Sequence, residues 1–343
     1  MNYLSAPDTV SWEITERCNL RCAHCSNAVD GAAYQMELDE CYRIIDILAE
    51  HKVLRLNIEG GEPFVREDLI DILHYANRRH FQPKIDTNGT LIDMTRALEL
   101  SKCRIRGVQI SMDGPTAQSY AQVRKSVSAY EHALRGIECI KKVGIKVSIS
   151  MVLMKGNMEY IPEFLKLAES MHVDSVRFVD FIPAGRGQLD ACADAYQLRA
   201  AYQVINEYIH KGEHIPVIFP TKITGLLNST TQPTTVLHML NPACHLACEA
   251  GTVLMHIRSN GDITPCVYFR ESEFVCGNIL QDDFASIWEY SRCMNEFRNL
   301  GKLPDKCSGC QNIPQCMGGC RAYSYYKSSK HSLVEFDERC WRN

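Results

Sequence analysis

From the N-terminus to about residue 210, short β-branched runs alternate with longer stretches of helical spacing. The runs are Thr9–Thr15, Val53–Glu59, Lys84–Thr87, Val108–Met112, Lys146–Val152 and Ser175–Phe181. Helical patterns follow them at roughly 37–50, 67–80, 91–101, 127–142 and 159–171, and a last one lies at about 195–211. Leu38, Cys41, Ile44, Ile45 and Leu48 have the i, i+3, i+4, i+7 spacing of a helix lying against a sheet. Six units in series predict a parallel sheet with right-handed crossovers. Six strands are too few for a closed eight-stranded barrel. The expected fold is therefore α/β, a partial (β/α)6 TIM-like barrel with its chemistry on the loops after the strands.

The pattern breaks after residue 212. Pro216, Pro220, Pro233 and Pro242, with the polar run Asn228-Ser229-Thr230-Thr231-Gln232, mark a connector. A cysteine- and glycine-rich segment follows. The expected domains are 1–212 for the barrel, 213–243 for the connector and 244–343 for a small cysteine-rich domain. Its apolar content is modest, so metal clusters are expected to hold it together.

Seventeen cysteines need a reason. No signal peptide and no apolar run long enough to span a bilayer is visible, so the protein is expected to be cytoplasmic, where thiols ligate metals rather than form disulfides. A net charge of −4 and the lack of a basic cluster speak against nucleic-acid or membrane-surface binding. Six scattered cysteines, Cys41, Cys103, Cys139, Cys192, Cys276 and Cys293, read as small buried hydrophobes. The others cluster.

Cys18, Cys22 and Cys25 form C-x3-C-x2-C directly after the first strand. Three thiolates this close suit one soft metal centre, and an iron–sulfur cluster takes four ligands, so one iron would stay open. Taken alone, the triad could also be buried core thiols or part of a zinc site. The second strand ends in Glu59-Gly60-Gly61-Glu62-Pro63, where two glycines allow close backbone approach and Pro63 fixes the exit. The third and fourth strands end in Asp86-Thr87-Asn88-Gly89 and Ser111-Met112-Asp113-Gly114, which turn chemistry alone could explain. In the last segment Cys248 precedes Gly261 and Cys266. Then come Cys307-x2-Cys310-x5-Cys316-x3-Cys320, and finally Cys340.

In this order, the motifs resemble the radical S-adenosylmethionine (SAM) enzymes with a C-terminal SPASM extension. The resemblance implies a [4Fe-4S] cluster on Cys18, Cys22 and Cys25 whose open iron binds SAM. It implies SAM contacts from Gly60, Gly61, Glu62 and Pro63, with Glu62 facing the amino group. Ser111, Thr87, Asn88 and Asp113 would face the ribose and carboxylate. His24 would lie on the adenine side, and Arg186, in Gly185-Arg186-Gly187, would close over the adenosine. Two auxiliary [4Fe-4S] clusters are implied, one on Cys307, Cys310, Cys316 and Cys340, the other on Cys248, Cys266 and Cys320 with Cys244 as a candidate fourth ligand. The aromatic run Tyr323, Tyr325 and Tyr326 reads as packing around a cluster.

The implied reaction is reductive cleavage of SAM to a 5′-deoxyadenosyl radical that takes hydrogen from a substrate. A flavodoxin- or ferredoxin-type protein would supply the electron. The layout resembles the peptide-maturing enzymes of the pyrroloquinoline quinone and mycofactocin type, which implies a ribosomally made peptide or protein as substrate. Val267 stands where sulfatase-maturing relatives carry an Asp, which speaks against formylglycine formation. The residues before Cys18 leave no room for a leader-recognition domain, so a peptide would need a separate recognition protein or direct docking in the barrel mouth. A small-molecule or tetrapyrrole substrate is one alternative. A non-enzymatic iron–sulfur electron carrier is another. No general base can be named from the sequence.

Overall fold

The structure is a computed structural model, and it describes residues 3–27, 33–212, 215–218, 248–298, 303–311 and 313–340. Six parallel strands form the expected wall: β1 (Thr9–Glu13), β2 (Arg55–Glu59), β3 (Lys84–Thr87), β4 (Gly107–Ser111), β5 (Val147–Leu153) and β6 (Ser175–Asp180). They lie side by side in chain order, and a two-residue strand, β7 (Val217–Ile218), pairs with β6 within the stretch read as a connector. The connecting helices are α1 (Leu38–Glu50), α2 (Leu69–Arg78), α3 (Met94–Leu100), α4 (Ala117–Arg124), α5 (Ser128–Lys142) and α6 (Ile161–Ser170), and α7 (Ala195–His210) follows β6. Helix α1 shows why these segments settle as they do. A reciprocal Glu37–Glu40 capping box starts it, and Cys41, Ile44, Ile45 and Leu48 form its buried stripe.

Successive strand residues take opposite faces. Val10, Trp12, Leu56, Ile58, Ile85, Ile110, Ile149 and Phe178 are buried in the main core with the helices. Residues of the other parity, such as Glu59, Asp86, Gln109, Ser111 and Ser150, border a cavity inside the partial barrel. The wall is thus apolar towards its helices and polar towards its interior.

The cysteine-rich segment extends this same sheet. Strand β8 (Leu254–Ile257) pairs in parallel with β1, matching Thr9 with Leu254 and Trp12 with Ile257. Strands β9 (Asp262–Thr264) and β10 (Gly277–Asn278) add antiparallel to it, giving the order β10-β9-β8-β1-β2-β3-β4-β5-β6-β7. A charged cluster is sealed into the β1–β8 seam. His256 lies between Glu13 at 3.7 Å and Glu59 at 3.3 Å, and Arg270 reaches Glu13 at 2.8 Å and Glu16 at 3.1 Å. Burial opposes a charge on His256, but the two carboxylates outweigh it and raise its pKa above the usual 6.5.

The segment also has an apolar core of its own, beside the cysteines expected to carry clusters. Phe269, Phe274, Phe297 and Tyr325 pack edge-on or tilted with ring centroids 4.3–6.3 Å apart. The aromatic run reads as packing in the structure too. Tyr326 Oη donates to Glu271 and to Tyr268 O, and Tyr323 lies under the Arg339 guanidinium at 3.9 Å. Among the described residues, no helix is long and apolar enough to cross a membrane.

Candidate active site

Strand β1 feeds the loop that carries Cys18, Cys22 and Cys25, and two neighbouring segments clamp that loop. On one side the end of β2 runs beside it, with Gly61 N donating to Thr15 O at 2.7 Å and Glu62 N to Arg17 O at 2.8 Å. A Cβ on Gly61 would sit 2.2 Å from Arg17 O, so only glycine allows the approach. On the other side the segment after β6 closes in. Arg186 donates from its backbone N to Cys25 O and from Nε to Cys22 O, both at 3.0 Å. A Cβ on Gly185, whose φ is +59°, would meet Cys25 O at 2.4 Å. Buried Arg66 fixes the loop's entry by donating to Ile14 O and Met36 O while forking onto Asp68.

The clamped loop borders a cavity of about 260 Å³ at the C-terminal ends of the strands. Cys18, Cys22 and Cys25 line it together with Gly60, Gly61, Thr87, Asn88, Ser111, His24 and Arg186. Among the described residues, no three Cys, His, Asp or Glu side chains close on a single-ion site, and the three thiols instead border this space. Cys18 is the exposed member of the three, yet partial enclosure of its thiol by the cavity walls is the main cause that pushes it up to about 11, and the charges of Glu62, Cys22 and Cys25 add to it. Three thiolates gathered here without a cation would repel one another, so the donor set fits a cationic iron–sulfur core with no fourth protein ligand.

Three of the residues expected to contact the cofactor do not border this cavity. Glu62 is fully buried and its carboxylate turns from the cavity to accept from Thr87 Oγ1 at 2.6 Å, Asn88 N at 2.7 Å and Phe64 N at 3.0 Å. Pro63 is buried at the start of a 3-10 turn and does not border the cavity either. Asp113, also fully buried, has a positive φ of 59° and lies behind the thiol loop. There it accepts from Val152 N and pairs with Arg124 at 2.6 Å and His24 at 3.4 Å. For Glu62 and Asp113, a buried carboxylate has been drawn to donors that stabilise it more than an open cavity could.

Arg124 is the functional-looking group that the sequence hid. It ends α4, a helix with no expectation attached to it, and its Nη1 lies 3.5 Å from Cys22 Sγ while Nε meets Asp113. Burial would lower its pKa, but Asp113, Cys22 and Tyr120 outweigh that and hold it up. The same burial pushes His24 down to about 4, so its ring is neutral at pH 7. Asn19, between the first two cysteines, was equally silent. It accepts from Asn88 Nδ2 and donates to Thr90 Oγ1, tying the thiol loop to the turn after β3.

The later cysteines fall into two groups. Cys307 lies within reach of the charges of Cys340 and Cys310, and Cys316 within reach of that of Cys340. Cys266 and Cys320 belong to the aromatic core, with Cys248 packed against it. Cys244 lies outside the described residues. Buried Arg321 sits between the groups, within reach of the fields of Cys248, Cys320, Cys307 and Cys316.

Known protein families resemble two parts of the chain. The radical SAM superfamily pattern matches residues 12–168, and that of the SPASM iron–sulfur cluster-binding domain matches residues 248–311. Mycofactocin maturase MftC of Mycobacterium tuberculosis is 31% identical over 333 residues, covering 94% of this chain and 80% of the relative. The chain is a radical SAM enzyme with a C-terminal SPASM extension. This radical SAM enzyme is also 28% identical over 340 residues to the AdoMet-dependent heme synthase of Oleidesulfovibrio alaskensis, covering 95% of this chain and 85% of that one. Its fold matches Streptococcus suis SuiB bound to precursor peptide SuiA with a TM-score of 0.83 at 21% identity, over 99% of this chain and 77% of SuiB. The family's cofactors are a [4Fe-4S] cluster and SAM, and the extension binds auxiliary iron–sulfur clusters.

Proposed function

We propose that this radical SAM enzyme modifies a ribosomally made peptide or protein. The observation that carries the reading is the lining of the barrel interior. Gln109, Ser111 and Ser150, beside the already paired carboxylates Glu59 and Asp86, offer hydrogen-bonding groups of the kind that peptide amides need. The 31% identity to a peptide maturase supports it.

Cys18, Cys22 and Cys25 would hold the SAM-binding cluster, and Gly60, Gly61, Thr87, Asn88, Ser111, His24 and Arg186 border the space SAM would take. When bound and reduced, the cluster and SAM would supply the radical chemistry that takes hydrogen from the substrate. The chain's own part is placement. Gly61 and Gly185 let the neighbouring backbones grip the thiol loop, Glu62 and Asn19 fix the turn after β3, and Arg124 holds a positive charge beside Cys22. Cys307, Cys310, Cys316 and Cys340 would carry one auxiliary cluster, and Cys248, Cys266 and Cys320 another, with Cys244 a candidate for its fourth ligand. We assign the electron supply to a flavodoxin- or ferredoxin-type donor. A separate recognition protein or direct docking would present the peptide.

The test is anaerobic reconstitution followed by deoxyadenosine measurement with candidate peptides and with tetrapyrroles or small metabolites. Peptide-stimulated turnover is expected. Stimulation by a tetrapyrrole alone would overturn the peptide reading and favour the chemistry of the heme synthase relative. Iron and sulfide contents near twelve each are expected for three four-iron clusters. Cys22→Ala should abolish SAM cleavage, whereas Cys310→Ala should leave cleavage measurable and impair product formation.

A further inference from the structure

A second cavity, of about 170 Å³, lies against the first and shares Val179, Asp180, Ile182 and Tyr268 with it. Its far wall carries Cys248 and Cys266, and its charged groups are Arg177, Asp180 and Glu249. Asp180 is engaged by Tyr202 Oη and by Arg339 at 3.3 Å, and Glu249 has interactions of its own. Arg177 differs. It lies on the same inward parity of β6 as Val179, and among the described residues no hydrogen bond or ion pair reaches its guanidinium. Its charged neighbour across the barrel is another cation, Lys84, whose own counter-ion is Asp86 at 2.7 Å. Arg177 is half-buried, and a guanidinium, which stays charged at any relevant pH, gains from an anion when it lies beside a like charge.

We propose that this chamber receives a carboxylate of the substrate and that Arg177 binds it. The planar fork of the guanidinium matches a carboxylate's two oxygens. A larger tetrahedral phosphate would fit worse, because Ile182 and Leu254 narrow the chamber and Cys248 and Cys266, which would carry a cluster, close its far wall. The proposal deepens the peptide reading and rests on it for the source of the carboxylate, a chain terminus or an acidic side chain. A propionate of another substrate class would use the same fork.

The reconstituted full-length enzyme tests it with paired probes: N-acetyl-glycyl-glycine against its C-terminal amide, and propionate against propionamide. Binding is followed by saturation-transfer NMR, with SAM cleavage and the electron paramagnetic resonance of the auxiliary clusters recorded on the same samples. Each acid is expected to bind about tenfold or more tightly than its amide. Arg177→Gln should erase that preference, and Arg177→Lys, which keeps the charge, should retain part of it. Equal binding of acid and amide by the wild type, or an unchanged preference in Arg177→Gln, would overturn the proposal. So would a variant that alters the auxiliary resonance and leaves the preference intact, since Arg177 would then serve the cluster. If propionate alone is preferred, the Arg177 site stands and the peptide reading falls. If peptide acid and amide stimulate SAM cleavage equally in both proteins, the peptide reading stands and the Arg177 site falls.

Discussion

At Glu62 three donors converge on one carboxylate with no access to water. Burial pushes its pKa up, and the bonds from Thr87, Asn88 and Phe64 pull against that. Glu62→Gln turns one acceptor into a donor, so at least one of those groups loses its partner. The variant should be less stable by about 1–3 kcal/mol in chemical denaturation and should bind SAM more weakly, because the turn carrying Asn88 is released. His256 makes a pH-dependent prediction. Its native pKa is raised, so its contribution is complete below the free value of 6.5 and disappears as pH rises through the native value. Melting temperature should fall over that alkaline interval. In His256→Gln the decline should vanish, with the variant less stable than wild type at pH 6, because Glu59 then loses its cation and Glu13 keeps only Arg270. A slope unchanged by the substitution would show that another group titrates there.

At the scale of elements, the glycine contacts explain how loops from distant strands hold a common shape. Gly185 brings the segment after β6 against Cys25 O, and any side chain there must push the loop outward. Gly185→Ala should reduce SAM cleavage by about a hundredfold, as a displacement of about 1 Å at a reacting centre does, while the iron bound by the extension is retained. Loss of all bound iron would contradict this local account. The same elements mark what could be read from the residues. β3 runs from Lys84 to Thr87 as its β-branched pattern implies, and the other five barrel strands end within two residues of theirs, because each has one fully buried face. Helix α4 escaped because its apolar stripe is weak: Ser119, Tyr120, Val123 and Arg124 form its buried side. That is also why Arg124 went unnoticed. The short strands β8 to β10 follow loop-like stretches, and nothing local says that Leu254 will pair with Thr9. Residues whose place is set by their own neighbours in sequence were legible; Asp113, Asn19 and Glu62 depend on partners brought in by other strands.

The whole molecule is tied together at the edge of β1. Besides β8, the extension contributes Trp288, whose Nε1 donates to Leu4 O at 2.8 Å, and Arg298, stacked over Tyr3 at 3.7 Å. Ending the chain at Gly212 would strip these contacts away and bare the N–H and C=O groups of Thr9–Trp12. Such a truncated chain should aggregate on size-exclusion chromatography. A soluble monomer with native-like circular dichroism would show that the barrel closes its edge another way.

That pairing also sets an order of events during synthesis. β1 and the thiol loop leave the ribosome first, yet the hydrogen-bonding partner of Thr9 arrives only with Leu254. Contacts so far apart in the chain form slowly, since a long loop must close before they are rewarded. Until then the nascent barrel carries an open strand beside three reduced cysteines. Iron loaded at that stage would sit in a frame with one wall missing, so the first cluster reaches its finished surroundings only when the late-made strand has docked.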